Sequence, residues 1–142
     1  MFPSLDQLVP HRGAALLLSS VLRHSERETA CQARIADDHP YLDGARVDAV
    51  LSLEFMAQTI AVHAALEPAG AGAPRTGYVL GSPSLEFFDG DFVVGDEIEI
   101  TARPIHVGGS LAKYESEVRV RGTVRARGEL SVFVQHAPGA GP

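Results

Sequence analysis

The sequence predicts an α+β fold in which a curved antiparallel sheet wraps one long central helix. Three observations carry that expectation. Val47 to Leu66 is a nearly continuous run of apolar residues and good helix formers with no Gly or Pro; strand-like alternation precedes it; and only strand patterns follow it. With 142 residues, a single domain spanning 1–136 is expected, and the closing "APGAGP" (137–142) reads as a disordered tail.

Taken in order, "SLDQLV" offers Ser4 as an N-cap and ends at Pro10, which predicts one or two helical turns before "PHRG" breaks the pattern. Ala14 to Arg23 is apolar and fits helix or buried strand equally well. Thr29, Cys31, Ala33 and Ile35 alternate with more polar neighbours, so the two stretches read as an antiparallel pair turning around "HSERE". The long helix ends in "EPAGAGAPR", a flexible loop. In "TGYVLGSPSLEFF" the strand pattern is interrupted by Gly81 and Pro83, which predicts a bulge or an edge. "DEIEITARPI" sets Ile98, Ile100 and Ala102 on one face, and "VGGS" signals a turn. "LAKYESEVRV" then opposes Tyr114, Val118 and Val120 to Lys113, Glu115, Glu117 and Arg119. After a turn at Gly122, Val124, Ala126, Leu130 and Val132 share the inner face of the last strand.

Composition narrows the function classes. A formal charge of -6 argues against nucleic acid, whose affinity comes from phosphate neutralisation. The six histidines show neither HxH nor HExxH spacing and there is no Cys pair, so no metal is expected. Cys31 falls on a strand face and reads as a reduced core thiol. No apolar run is read as reaching membrane-span length, and "MFPSLDQLVPHRG" lacks a signal-peptide layout, so a cytoplasmic protein without a membrane span is expected.

The helix itself holds an anomaly. At about 100° per residue, Asp48, Ser52, Thr59 and His63 fall within a sector of roughly 60°, which reads as its one polar, solvated stripe. Glu54 and Gln58 lie off that stripe, one turn apart, among Val47, Val50, Leu51, Phe55 and Ile60. Burying an unpaired carboxylate costs several kcal/mol, so Glu54 is expected either to have a structural partner or to be a general acid with a raised pKa. His39 stands in "DDHPYLDG", the loop leading into this helix. A His ahead of a helical Glu, with helix N-terminal amides between them, supplies a base, an acid and an oxyanion site.

These residues resemble a known family. "LVPHRGAALLLSSVL", "HPYLDG", then "LEFMAQ" fifteen residues after the His, and "VVGDEIEI" are similar in order and spacing to the hot-dog-fold 3-hydroxyacyl-[acyl-carrier-protein] dehydratases, over about residues 5–135. The match is nearest the dehydratase-like branch of aryl polyene pathways. The resemblance implies a hot-dog fold with a six-stranded sheet, and a homodimer or heterodimer whose sheets join. It further implies active sites at the interface, where His39 of one subunit meets Glu54 of the other. Gln58 would orient the carboxylate, and the substrate would sit against Ala49 and Val50. Here Asp48, Ala49 and Val50 stand where the family has Pro-Gly-Val, so the amide of Ala49 takes the place of the glycine amide that polarises the thioester.

The implied reaction is loss of water from a (3R)-3-hydroxyacyl thioester to give the trans-2-enoyl thioester, with no metal or redox cofactor. The substrate is carried on the 4'-phosphopantetheine of acyl carrier protein. Arg119, Arg121, Arg125 and Arg127, or Arg12 and Arg75, are candidate docking cations for that acidic partner, though the four on the last hairpin read more readily as a solvated face paired with Glu115, Glu117 and Glu129. His11 reads as a structural turn residue, His63 as solvated, and His24, His106 and His136 as turn or terminal residues. The competing functions are a hot-dog acyl thioesterase and a catalytically weak subunit that supports a dehydratase partner.

Overall fold

The computed structural model describes residues 2–9, 11, 13–67, 76–81, 84–88, 90–108 and 111–135. The expected tail at 137–142, together with Arg12, Arg75 and His136, lies outside them. The chain opens with the one-turn helix α1 (Leu5–Leu8) and a 3-10 turn η1 (Gly13–Ala15), then pairs β1 (Leu18–Ser25) with β2 (Glu28–Arg34). The stretch that fitted helix or strand equally well is therefore mostly strand. A two-residue strand β3 (Arg46–Val47) leads into a 3-10 turn η2 (Ala49–Leu51) and the long helix α2 (Ser52–Leu66). Then come β4 (Thr76–Gly81), β5 (Glu86–Phe87), β6 (Phe92–Val93), β7 (Glu97–Gly108), β8 (Leu111–Val120) and β9 (Thr123–Gln135).

Six strands form an antiparallel sheet in the order β1-β2-β7-β8-β9-β4, with β5 added along β9. The expected bulge near Gly81 is a register shift between Val79 and Gly81. At the β8–β9 hairpin, Arg121 and Gly122 both take positive φ, 52° and 77°, which matches the right-handed twist of the strands it joins. The inner faces are those the alternation predicts: Thr29, Cys31, Ala33, Ile98, Ile100, Ala102, Tyr114, Val118, Ala126 and Leu130 are buried. They close on Phe55, Met56, Ile60 and Val62 of α2 as one apolar cluster. Gly128 lets the chain cross close over β9, since a Cβ there would lie 2.9 Å from the Cα of Leu85.

Ala49–Leu66 is long and apolar enough on average to cross a membrane, although polar residues interrupt it; here it is the helix the sheet wraps. The polar stripe is not solvated as expected. Ser52 and Thr59 are fully buried and His63 is 2% exposed. A sheet curled round a helix covers most of its circumference, and the stripe faces β2. Two of its polar groups find partners inside: the Thr59 hydroxyl donates to the Phe55 carbonyl, and His63 Nδ1 bonds the Thr29 hydroxyl. Glu54 differs from expectation in the opposite sense: its side chain is 45% exposed.

A second, two-stranded sheet of β3 and β6, not anticipated from the sequence, fixes the entry to the helix. Gly95 donates to the Ile35 carbonyl and Val94 to that of Ala45, so the turn before β7 holds both ends of the loop that carries His39.

Candidate active site

Glu54 lies in the first turn of α2, and the residues before β1 cross over it. Gln58, one turn on and fully buried, fastens that crossing. Its carbonyl oxygen accepts the Leu17 N–H at 2.9 Å, and its amide nitrogen donates to the Ala15 carbonyl at 2.7 Å and to Glu54 Oε1 at 3.1 Å. Both amide protons and the carbonyl are thereby used, so the amide cannot flip and Oε1 must be an acceptor. His11 Nε2 stands 3.3 Å from the same oxygen. Oε2 takes no hydrogen bond among the described residues.

His39 sits where two turns meet, its N–H donating to the Ala36 carbonyl and its own carbonyl accepting from Leu42. Its ring is tilted on Tyr41, centroids 6.1 Å apart, and Nδ1 accepts the Tyr41 N–H at 3.2 Å. Partial burial pushes the imidazole below its ordinary pKa, and the Asp38 carboxylate opposes this only in part. Neutral imidazole is therefore the form near pH 7.

Asp48 caps the helix, its carboxylate accepting the Val50 N–H at 2.9 Å. The Ala49 N–H donates to Asp91 at 3.2 Å. The Ala49 amide expected to face substrate and the Val50 amide beside it are thus both engaged by carboxylates within the chain. The side chain of Val50 is 58% exposed. No hydrogen bond, ion pair or ring contact among the described residues joins His39 to Glu54 in one chain. Gln58 is brought to Glu54 as expected.

Two residues were not read as functional from the sequence. His11, taken for a turn residue, touches Glu54; its only signal was its place in "PHR". Asp91, which takes the Ala49 amide, had none, because the two Asp residues around the glycine of "FFDGDF" read as loop solvation. The late arginines mostly pair within the sheet: Arg119 with Glu117 at 2.6 Å, and Arg127 with Glu86 at 3.7 Å. Arg125 donates to the carbonyls of Phe88, Gly90 and Asp91. Among the described residues no group of His, Cys, Asp and Glu is arranged to hold a metal ion.

An antiparallel sheet wrapped around one long helix defines a hot-dog fold. The chain belongs to the ApeP-like family, described as ApeP dehydratase, whose model matches residues 3–140. It is 27% identical over 136 residues to the 3-hydroxyacyl-[acyl-carrier-protein] dehydratase FabZ of Streptococcus thermophilus, covering 92% of this chain and 94% of that one. Among solved structures, the dehydratase heterocomplex ApeI:P from Xenorhabdus doucetiae superposes with a TM-score of 0.87 at 23% identity, covering 96% of this chain and 93% of that chain. The fold is shared more distantly by a hypothetical thioesterase with coenzyme A from Streptococcus pneumoniae, at a TM-score of 0.61 and 12% identity, over 82% and 84% of the two chains.

Proposed function

We propose that the protein removes water from a 3-hydroxyacyl thioester on acyl carrier protein, in a dimer of hot-dog subunits in which His39 of one chain faces Glu54 of the other. The observation that carries this is the mounting of Glu54. A saturated Gln58 amide and His11 hold Oε1 and leave Oε2 open. If Glu54 is the acid, its proton sits on Oε2, because Oε1 is already an acceptor.

In the reaction neutral His39 takes the C2 proton, the C2–C3 double bond forms, and the C3–O bond breaks as Glu54 delivers its proton to the departing hydroxyl. One water leaves, and the proton on His39 returns to Glu54. For Nε2 to act as the base, the ring proton must sit on Nδ1, so the Tyr41 contact must open when a second subunit completes the site. The enolate-like oxygen would be held by the Ala49 amide once Asp91 gives way. No cofactor takes part, and the phosphopantetheine arm brings the acyl group to a cytoplasmic enzyme of one domain.

The occupied Ala49 and Val50 amides support a second reading, a catalytically weak subunit that needs a different hot-dog partner. The test is turnover of a 3-hydroxyacyl carrier protein by mass spectrometry, for the chain alone and with such a partner. Loss of water by the pure chain, abolished by His39→Ala and by Glu54→Gln, supports the first reading. Activity only with a partner supports the second. Free acid as the product would mean a thioesterase and sink both.

A further inference from the structure

At the far end of α2 from Glu54, four polar side chains close a ring that neither the family nor the reaction accounts for. The Thr29 hydroxyl of β2 lies 2.7 Å from Nδ1 of His24 on β1 and 2.7 Å from Nδ1 of His63 on α2. The outer ring nitrogens of the same histidines face one carboxylate, His24 Nε2 at 3.4 Å and His63 Nε2 at 3.6 Å from the two oxygens of Glu67. Glu67 is fixed as the helix C-cap, its N–H donating to the His63 carbonyl.

A hydroxyl has one proton, so Thr29 donates to one Nδ1 and must accept N–H from the other. The histidine that accepts is neutral, with its proton on Nε2. The histidine that donates would, if neutral, turn a bare Nε2 lone pair on Glu67. One further proton converts that repulsion into an ion pair, and the count is the same whether the proton rests on the imidazole or on the carboxylate. The negative end of the helix dipole, with Glu67 added to it, favours the same outcome.

We infer that the folded protein holds one proton in this ring, shared between His24 and Glu67 through a relay in which Thr29 keeps His63 neutral. His63, 2% exposed, is pushed below its ordinary value chiefly by burial, and the nearer, more accessible His24 carries the charge. The other groups around the ring do not compete. From β8, Tyr114 meets His63 edge-on, its hydroxyl pushed up to about 12 by burial and by Glu67, and the Cys31 thiol of β2 is likewise pushed up to about 12 by burial, so both stay neutral. On β7 the inward residues are Ile100 and Ala102. Glu28, Glu99, Arg23 and Arg103 pair with one another on the outer face.

Two histidines that together hold one proton when folded hold two when unfolded at low pH and none at high pH. Stability from the ring is therefore greatest near the ordinary imidazole pKa of about 6.5 and falls on both sides, by up to about tenfold in the folding constant per pH unit.

The experiment compares urea unfolding of the whole protein and of His24→Gln between about pH 5 and 8.5. It is paired with nitrogen-15 NMR of the histidine rings, with His24→Gln and His63→Gln assigning the signals. The difference in folding constant should change with pH, and over part of that range one ring should be cationic while the other is neutral. Thr29→Ser should keep this pattern and Thr29→Val lose it. His24→Gln should leave the pH–rate profile unchanged, because the helical members of the ring, His63 and Glu67, stand about 14 to 20 Å along the helix from Glu54. Two rings titrating together near the ordinary value, or a difference that is flat at every pH, would overturn the assignment.

Discussion

Replacing Gln58 with Leu separates the support of the carboxylate from the carboxylate itself. The substitution keeps a side chain of similar reach in a fully buried place but removes an acceptor and two donors. The Leu17 N–H is left buried without a partner, which costs about 1–3 kcal/mol. The Ala15 carbonyl, on an exposed residue, can turn to water and costs at most about 1 kcal/mol, and the added apolar surface returns a fraction of that. The expected loss is about 2–3 kcal/mol in urea unfolding, accompanied by faster hydrogen exchange at the Leu17 amide. Glu54→Gln, changing a side chain that is 45% exposed, should stay within about 0.5 kcal/mol of the parent. Both variants should lose turnover, one by releasing the crossing over the helix and one by removing the acid. A Gln58→Leu protein as stable as the parent, with the Leu17 amide still protected, would refute the reasoning.

Three further outcomes are expected. His39 must be neutral to accept a proton and sits below its ordinary value, so the acid limb of kcat/KM should fall below about pH 6.5. Asp38→Asn removes the carboxylate that opposes the shift and should move that limb lower still; an upward move would contradict the assignment. Asp91→Ala frees the Ala49 amide and should raise kcat/KM about three- to tenfold, the worth of one hydrogen bond. No change would mean that this amide is not the oxyanion donor. Gly128→Ala drives a Cβ against the backbone of Leu85 and should cost about 1–3 kcal/mol in thermal or urea unfolding, with m unchanged.

The fold was legible because period-2 alternation on Cys31, Ile100, Val118 and Ala126 and the unbroken run in α2 are local signals. Exposure around the helix was not. Deciding which side of α2 meets the sheet depends on contacts with β2 and with His11, Ala15 and Leu17, so the buried stripe and the half-exposed Glu54 were assigned the wrong way round. The Glu54–Gln58 pair could be read from helical spacing, being one turn apart. His11 and Asp91 reach the site across 43 and 42 positions of chain, a separation for which local pattern holds no information.

Arg125 illustrates how a charge can become a fastening. Its guanidinium grips the carbonyls of Phe88, Gly90 and Asp91 and lies over the Phe92 ring, so the segment that delivers the Asp91 carboxylate to the helix start hangs from the last hairpin. A lysine there would conserve the protein's net charge and still let that segment drift, since an ammonium cannot span several carbonyls with a rigid fork. Electrophoretic likeness between two variants would then conceal a difference in the shape of the site.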